Sequence, residues 1–91
     1  MVTVIIPTYQ RTVFVSDAVS SVLRQNFPKE RYEVLIVDNS FRPRAELRAL
    51  CDSHGPPVIR YVHEPRNGLL HARHAGAENA RGRILVYIDD D

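Results

Sequence analysis

Apolar residues along this 91-residue chain fall into four short unbroken runs, separated by stretches in which they recur every three or four positions. Val2 to Ile6 (VTVII) is a β-branched run that Pro7 should end, because proline cannot donate to a ladder. After the loop PTYQR a helix should start between Thr12 and Ser16 and finish near Asn26, ahead of Pro28. Val15, Ala18, Val19, Val22 and Leu23 form its apolar face. Glu33 to Asp38 (EVLIVD) reads as the second strand. Val34 to Val37 are apolar without alternation, as in a strand covered on both faces of a parallel sheet. Asn39 to Arg42 form a polar loop, and Pro43 suits the first turn of a second helix, striped by Leu47, Leu50 and Cys51 and stopped by Gly55, Pro56 and Pro57. Val58 to Val62 (VIRYV) is the third strand, with Ile59 and Tyr61 facing away from Arg60 and Val62. Glu64 to Asn67 form the next loop, and Asn67 is placed to cap a third helix running to about Arg81. Ala72, Ala75, Gly76 and Ala80 give that helix a face of small residues, able to approach a sheet closely, and Gly82 suits its stop. Ile84 to Ile88 is the fourth strand, apolar and expected to be buried, running directly into Asp89, Asp90 and Asp91.

The order β-α-β-α-β-α-β, with connections long enough for parallel crossovers, predicts an α/β fold with an open, mainly parallel sheet. No repeat, low-complexity tract or internal linker interrupts residues 1–91, so the chain reads as one unit. Twelve basic and eleven acidic residues nearly cancel, which removes any bulk attraction to nucleic acid or anionic membrane. The single Cys51 forms no internal disulfide; it falls on an apolar helix stripe and reads as core, in keeping with a reducing compartment. No apolar run approaches the ~20 residues of a membrane span. Met1 leads straight into a strand with no basic n-region, so no signal peptide is expected.

In this topology every strand-to-helix loop emerges at the carboxyl edge of the sheet. PTYQR, Asp38 to Ser40, Glu64 to Gly68 and Asp89 to Asp91 should therefore converge. Tyr9 offers a ring for a base to stack on and Arg11 a phosphate clamp, although a plain polar loop explains PTYQR equally simply. Asp38 can accept hydrogen bonds from a base or ribose, or cap the turn that follows it. Asn67 and Gly68 opening a helix, with Arg73 less than two turns on, suit an anion, and equally an ordinary capped helix with a solvated arginine. His71 and His74 stand three apart and could touch one metal, but no third ligand is near in sequence. Three adjacent carboxylates after an apolar strand repel one another unless water, a basic neighbour or a divalent cation offsets them. Their hard oxygens suit Mg²⁺ or Mn²⁺.

Together these stretches resemble the donor half of the inverting glycosyltransferase family 2, which has the GT-A fold. VTVIIPTYQR, SVLRQNFP, EVLIVDNS, RNGLLHARHAGAENARG and RILVYIDDD carry the resemblance over nearly the whole chain. It implies that residues 1–91 are the nucleotide-sugar-binding part of such a domain, ending at a DxD-type motif. Pro7, Thr8 and Tyr9 would shape and line the nucleobase pocket, with Arg11 beside it, and Asp38 would hydrogen-bond the base, usually uracil. Arg73, with Asn67 and Gly68, would face the nucleotide. Asp91 would be the direct ligand of Mg²⁺ or Mn²⁺, with Asp89 a second ligand and Asp90 near ribose or metal-bound water. The reaction would be inverting transfer from a UDP-sugar to a hydroxyl of a sugar, lipid or protein acceptor, at the cytoplasmic side. The catalytic base would lie beyond residue 91, so this chain alone should bind donor weakly or not at all and catalyse nothing.

Other readings fit less of the chain. A Rossmann dehydrogenase requires G-x-G-x-x-G after the first strand, where this chain has P-T-Y-Q-R. A receiver domain beginning at ILVYIDDD would leave the first three strands unexplained. A degenerate nucleotide-binding module without catalysis remains the non-enzymatic alternative.

Overall fold

A computed structural model describes residues 1–9, 12–52 and 55–88, and within α1 and α2 the side chains of residues 12, 13 and 52 are outside the description. Strands β1 (Val2–Thr8), β2 (Tyr32–Asp38), β3 (Val58–His63) and β4 (Ile84–Tyr87) alternate with helices α1 (Thr12–Leu23), α2 (Ala45–Asp52) and α3 (Leu69–Asn79). A 3-10 turn at Lys29–Arg31, which the apolar pattern does not mark, leads into β2. The strands make one all-parallel sheet in the order β3-β2-β1-β4. The α/β fold expected from the alternation is therefore present.

The two faces of the sheet bury different partners. Val4, Ile6, Val34, Ile36 and Ile59 pack with Val15, Val19 and Val22 of α1 and with Leu47 and Cys51 of α2. Ile5, Leu35 and Val37 pack on the other face against Ala72 and Ala75 of α3. Every residue of β2 is buried, as its unbroken apolar run requires for a central strand. Small residues on α3 bring that helix down onto the sheet. A Cβ built on Gly76 would lie 2.5 Å from Ile5 Cγ2, and Ile5 is itself fully buried. Gly76→Ala is accordingly expected to destabilise by about 1–3 kcal/mol through overpacking, despite alanine's better helix propensity. A urea midpoint equal to or above that of the parent chain would contradict this.

Several boundaries differ from those read in the sequence. Pro7 does not end β1, which continues to Thr8 with Pro7 opposite Val37 of β2. The Thr8 carbonyl accepts from the Asn39 amide on the β2 side, so the alternating pattern turns Pro7's missing N–H toward β4. The β1–β4 ladder ends at Ile5 opposite Tyr87, so the proline falls where that ladder has stopped. Helix α1 stops at Leu23 rather than near Asn26, α2 starts two residues after Pro43, and α3 ends at Asn79, leaving Ala80 as its C-cap.

The fourth strand departs most from expectation. Among the described residues it pairs only with β1, and all four of its residues are exposed, from 37% at Leu85 to 61% at Ile84. An apolar run marks strand propensity and does not distinguish an edge from a centre.

A polar brace closes the amino end of the sheet. Glu33 lies only 2% exposed in β2. Its Oε2 accepts from Thr3 Oγ1 at 2.8 Å and from the Arg81 amide at 2.7 Å, while Arg60 Nε donates to Oε1 at 2.9 Å. Arg60 also reaches the Asn79 carbonyl, and the Gly82 amide donates to Thr3 Oγ1. Burial by itself would raise the Glu33 pKa, but the bonds from Arg81, Thr3 and Arg60 outweigh it and hold the carboxyl below its ordinary value. No helix among the described residues is long and apolar enough to cross a membrane.

Candidate nucleotide-sugar site

Register aligns the ends of three strands in one row: Thr8 of β1 lies beside Asp38 of β2, which lies beside His63 of β3. The loops that follow them leave from this row, so three of the four segments expected to converge are neighbours. Ile88 continues β4 toward the same edge, its amide donating to the Ile5 carbonyl at 2.9 Å. Arg11 and the triplet Asp89, Asp90 and Asp91 lie outside the described residues. Pro7 and Thr8 are buried, whereas Tyr9 is half exposed just past them.

Asp38 is fully buried, and its carboxylate is the centre of the β2–α2 turn. Oδ1 accepts from the Ser40 amide at 3.1 Å and from Arg44 Nε at 3.4 Å. Oδ2 accepts from Tyr61 Oη at 2.6 Å and from the Arg44 amide at 3.1 Å. Burial would raise its pKa, but the hydrogen bonds from Tyr61, Ser40 and Arg44 prevail and lower it. Tyr61 shows the reciprocal effect: burial first, then the bond to Asp38, push its phenol up to about 12.

Asn39 joins the neighbouring loop to this turn. Its amide donates to the Thr8 carbonyl, and its side-chain Nδ2 donates to the carbonyls of Glu64 and Arg66, each at 2.8 Å. Its Oδ1 accepts from the Gly68 amide at 3.0 Å. Asn39 thus takes the capping part that the sequence suggests for Asn67, which is exposed; the N-cap position of α3 is Gly68. Gly68 has φ of 132°, a conformation that residues with a Cβ rarely adopt. Asn39 is a bracing residue that sequence reasoning missed, since its partners lie more than twenty positions away. Glu64 holds the same loop from the other side, its carboxylate gripping the Arg66 amide and guanidinium. Those bonds, the side-chain one foremost, take the Glu64 pKa down to about 2. His63 Nε2 lies 2.9 Å from the Ser40 carbonyl, an arrangement that needs the proton on Nε2.

Arg73 stands on the exposed side of α3 with its guanidinium carbon 5.7 Å from the centre of the Tyr87 ring. Tyr87 Oη in turn donates to the Arg73 carbonyl at 3.3 Å. Arg73 is thereby fixed beside the strand that leads to the acidic triplet. Among the described residues no three of His, Cys, Asp and Glu come together as a metal site, so His71 and His74 gain no third ligand there.

Over residues 3–91 the sequence matches the family model for glycosyl transferase family 2. The chain belongs to that family. An uncharacterized glycosyltransferase of Rickettsia felis is 36% identical over 91 residues, covering 99% of this chain and 14% of that protein. Glycosyltransferase AglE of Haloferax volcanii is 31% identical, covering 99% of this chain and 30% of its own length. The chain therefore spans less than a third of either relative. Among solved structures, the mannosyltransferase PcManGT from Pyrobaculum calidifontis, in complex with GDP-Man and Mn²⁺, superposes with a TM-score of 0.85. The two are 29% identical, and the match covers 99% of this chain and 27% of that one. Residues 1–349 of S. aureus TarS superpose with a TM-score of 0.83 at 24% identity, which speaks to fold alone. The sheet and its helices are thus the parallel portion of a GT-A glycosyltransferase fold.

Proposed function

We propose that this chain is the donor-binding part of an enzyme that transfers a sugar from a nucleoside diphosphate sugar, a UDP-sugar first, to an acceptor hydroxyl with inversion. The observation that carries this reading is the row Thr8–Asp38–His63, from which Tyr9, the Asp38 turn and the α3 N-terminus all emerge, in a chain of this family. The neighbour solved with GDP-Man and Mn²⁺ supports a nucleotide sugar and a divalent metal as the ligand class. Tyr9 and Thr8 border the base, Gly68 and Asn67 the anionic side, and Arg73 the approach from α3. Asp91 and Asp89 would hold Mg²⁺ or Mn²⁺, with Asp90 alongside; when bound, the metal offsets charge developing on the departing nucleoside diphosphate. We assign no catalytic base to residues 1–91.

Titration of the ¹⁵N-labelled chain with UDP, with and without Mg²⁺, tests the reading. Shifts of the Thr8, Tyr9 and Gly68 amides are expected, with affinity raised at least about tenfold by the metal and that gain lost in Asp91→Ala. Binding that ignores Mg²⁺ and survives Asp91→Ala would remove the metal from the proposal. Circular dichroism of the variant establishes that it is folded.

A further inference from the structure

Strand order gives β3 one neighbour, β2, and leaves its other edge open among the described residues. The register fixes which backbone groups lie on that edge. The Glu64 amide donates to the Asp38 carbonyl, so Val62 and Arg60, two and four positions earlier, also turn their N–H and C=O groups toward β2. Ile59, Tyr61 and His63 therefore turn theirs outward. Among the described residues no other element bonds to those outward groups. The same three residues, with Arg48 of α2 and Arg60, line a cleft of about 430 Å³ along the edge.

Native edges are commonly blunted by a proline, a bulge or a charged side chain. The pairing of β3 with β2 runs unbroken from Val58 to His63, and the strand contains no proline. Its charged residue, Arg60, is folded back from the edge, with Nε 2.9 Å from Glu33 Oε1 and a terminal nitrogen 2.6 Å from the Asn79 carbonyl. Glu33 offsets the Arg60 charge. Arg48 is exposed, and among the described residues its guanidinium has no ion pair. No carboxylate among the described residues lines the cleft, so an uncompensated positive charge stands beside the open edge.

We propose that the outer edge of β3 is an interaction surface that accepts an extended acidic segment of a partner protein as an added strand. The outward N–H and C=O groups of Ile59, Tyr61 and His63 supply the ladder, which any extended backbone can join. Arg48 supplies the selection, because a carboxylate on the added strand offsets its charge and a lysine does not. The cleft gives such side chains room beside Ile59 and Tyr61. The other edge, β4, does not compete for the same segment: the chain runs from it into Asp89, Asp90 and Asp91, which repel further acid.

The probe is the peptide acetyl-Thr-Val-Glu-Glu-Val-Thr-amide, whose adjacent glutamates point to opposite faces of a strand; its control has lysine in place of both. Added to the ¹⁵N-labelled chain at low ionic strength, the glutamate peptide is expected to slow hydrogen exchange at the Ile59, Tyr61 and His63 amides. The Arg60 and Val62 amides, already bonded to β2, should not change. The lysine peptide should bind at least about fivefold more weakly, and Arg48→Glu should weaken the glutamate peptide by at least about the same factor. Arg48 is exposed, so the variant should keep the parent circular dichroism; if it does not, the two peptides on the parent chain decide. Shifts near Arg48 without the alternating protection would mean electrostatic adhesion alone and would overturn the proposal. Protection at Leu85 and Tyr87, the outward residues of β4, would overturn it by placing the added strand on the other edge. Equal affinity for the two peptides, full affinity in a folded Arg48→Glu, or no binding at millimolar peptide would do the same.

Discussion

Glu33→Ala is expected to lower the unfolding free energy by about 3–5 kcal/mol, the usual effect of removing one partner from a buried ion pair. A chain of 91 residues has roughly 5–14 kcal/mol in total, so the variant should be marginal at room temperature. The reason lies in what stays behind. Arg60, largely covered, loses its carboxylate, and Thr3 Oγ1 and the Arg81 amide lose their common acceptor. Glu33→Gln keeps an acceptor oxygen and should lose clearly less. Urea unfolding followed by circular dichroism measures both. A Glu33→Ala midpoint that corresponds to under 1 kcal/mol would mean the brace contributes little.

None of that brace was visible in the chain. The sequence opens the strand at Glu33, one residue after its start at Tyr32 in the structure, and the partners of Glu33 stand 30, 27 and 48 positions away. Nothing local distinguishes it from a solvated strand-end glutamate. The strands and helices themselves were legible, because each rests on a pattern a few residues long. The face Val15, Val19 and Val22 is buried as its spacing requires, and Ala72, Ala75 and Gly76 meet the sheet as small residues should. Ile59 and Tyr61 take one side of β3, and Arg60 and Val62 the other.

The site was legible in outline only. Topology alone puts the β1, β2 and β3 loops at one edge, and register aligns them. Side-chain roles at that edge depend on long-range pairing, which spacing does not contain. Asn67 has the residue type and place of a cap, yet Asn39 supplies the bond to Gly68 from another loop. Asp38 has the place of a ligand, and its oxygens go to Ser40, Arg44 and Tyr61. The exposure of β4 escaped the sequence for a different reason: strand order, not strand composition, decides which apolar run lies at an edge.

Stability should fall on both sides of neutrality, and the Tyr61–Asp38 hydrogen bond should contribute to both limbs. The Asp38 and Glu33 pKa values are held below their ordinary 3.8 and 4.5 in the fold. The unfolded chain then binds protons more readily than the native one in that range, so their contribution is complete above those ordinary values. It is lost as pH drops through the depressed native values. Tyr61 acts in the opposite sense, raised from 10.0 to about 12. Its contribution is complete below 10.0 and is lost as pH climbs toward 12. The melting temperature should therefore be level between about pH 5.5 and 9, fall below pH 4.5, and fall again above pH 10. Each kcal/mol lost lowers it by about 4–8 °C in a domain of this size, so calorimetry at closely spaced pH resolves both limbs. Tyr61→Phe removes the donor to Asp38 and the titrating phenol together. It should shrink the alkaline limb and shorten the acid limb, because Asp38 then moves back toward its ordinary value. Asp38→Asn should shrink the acid limb and leave the Glu33 and Glu64 parts of it. An acid limb of the same size in Asp38→Asn would show that the buried carboxylate of the turn does not govern acid stability.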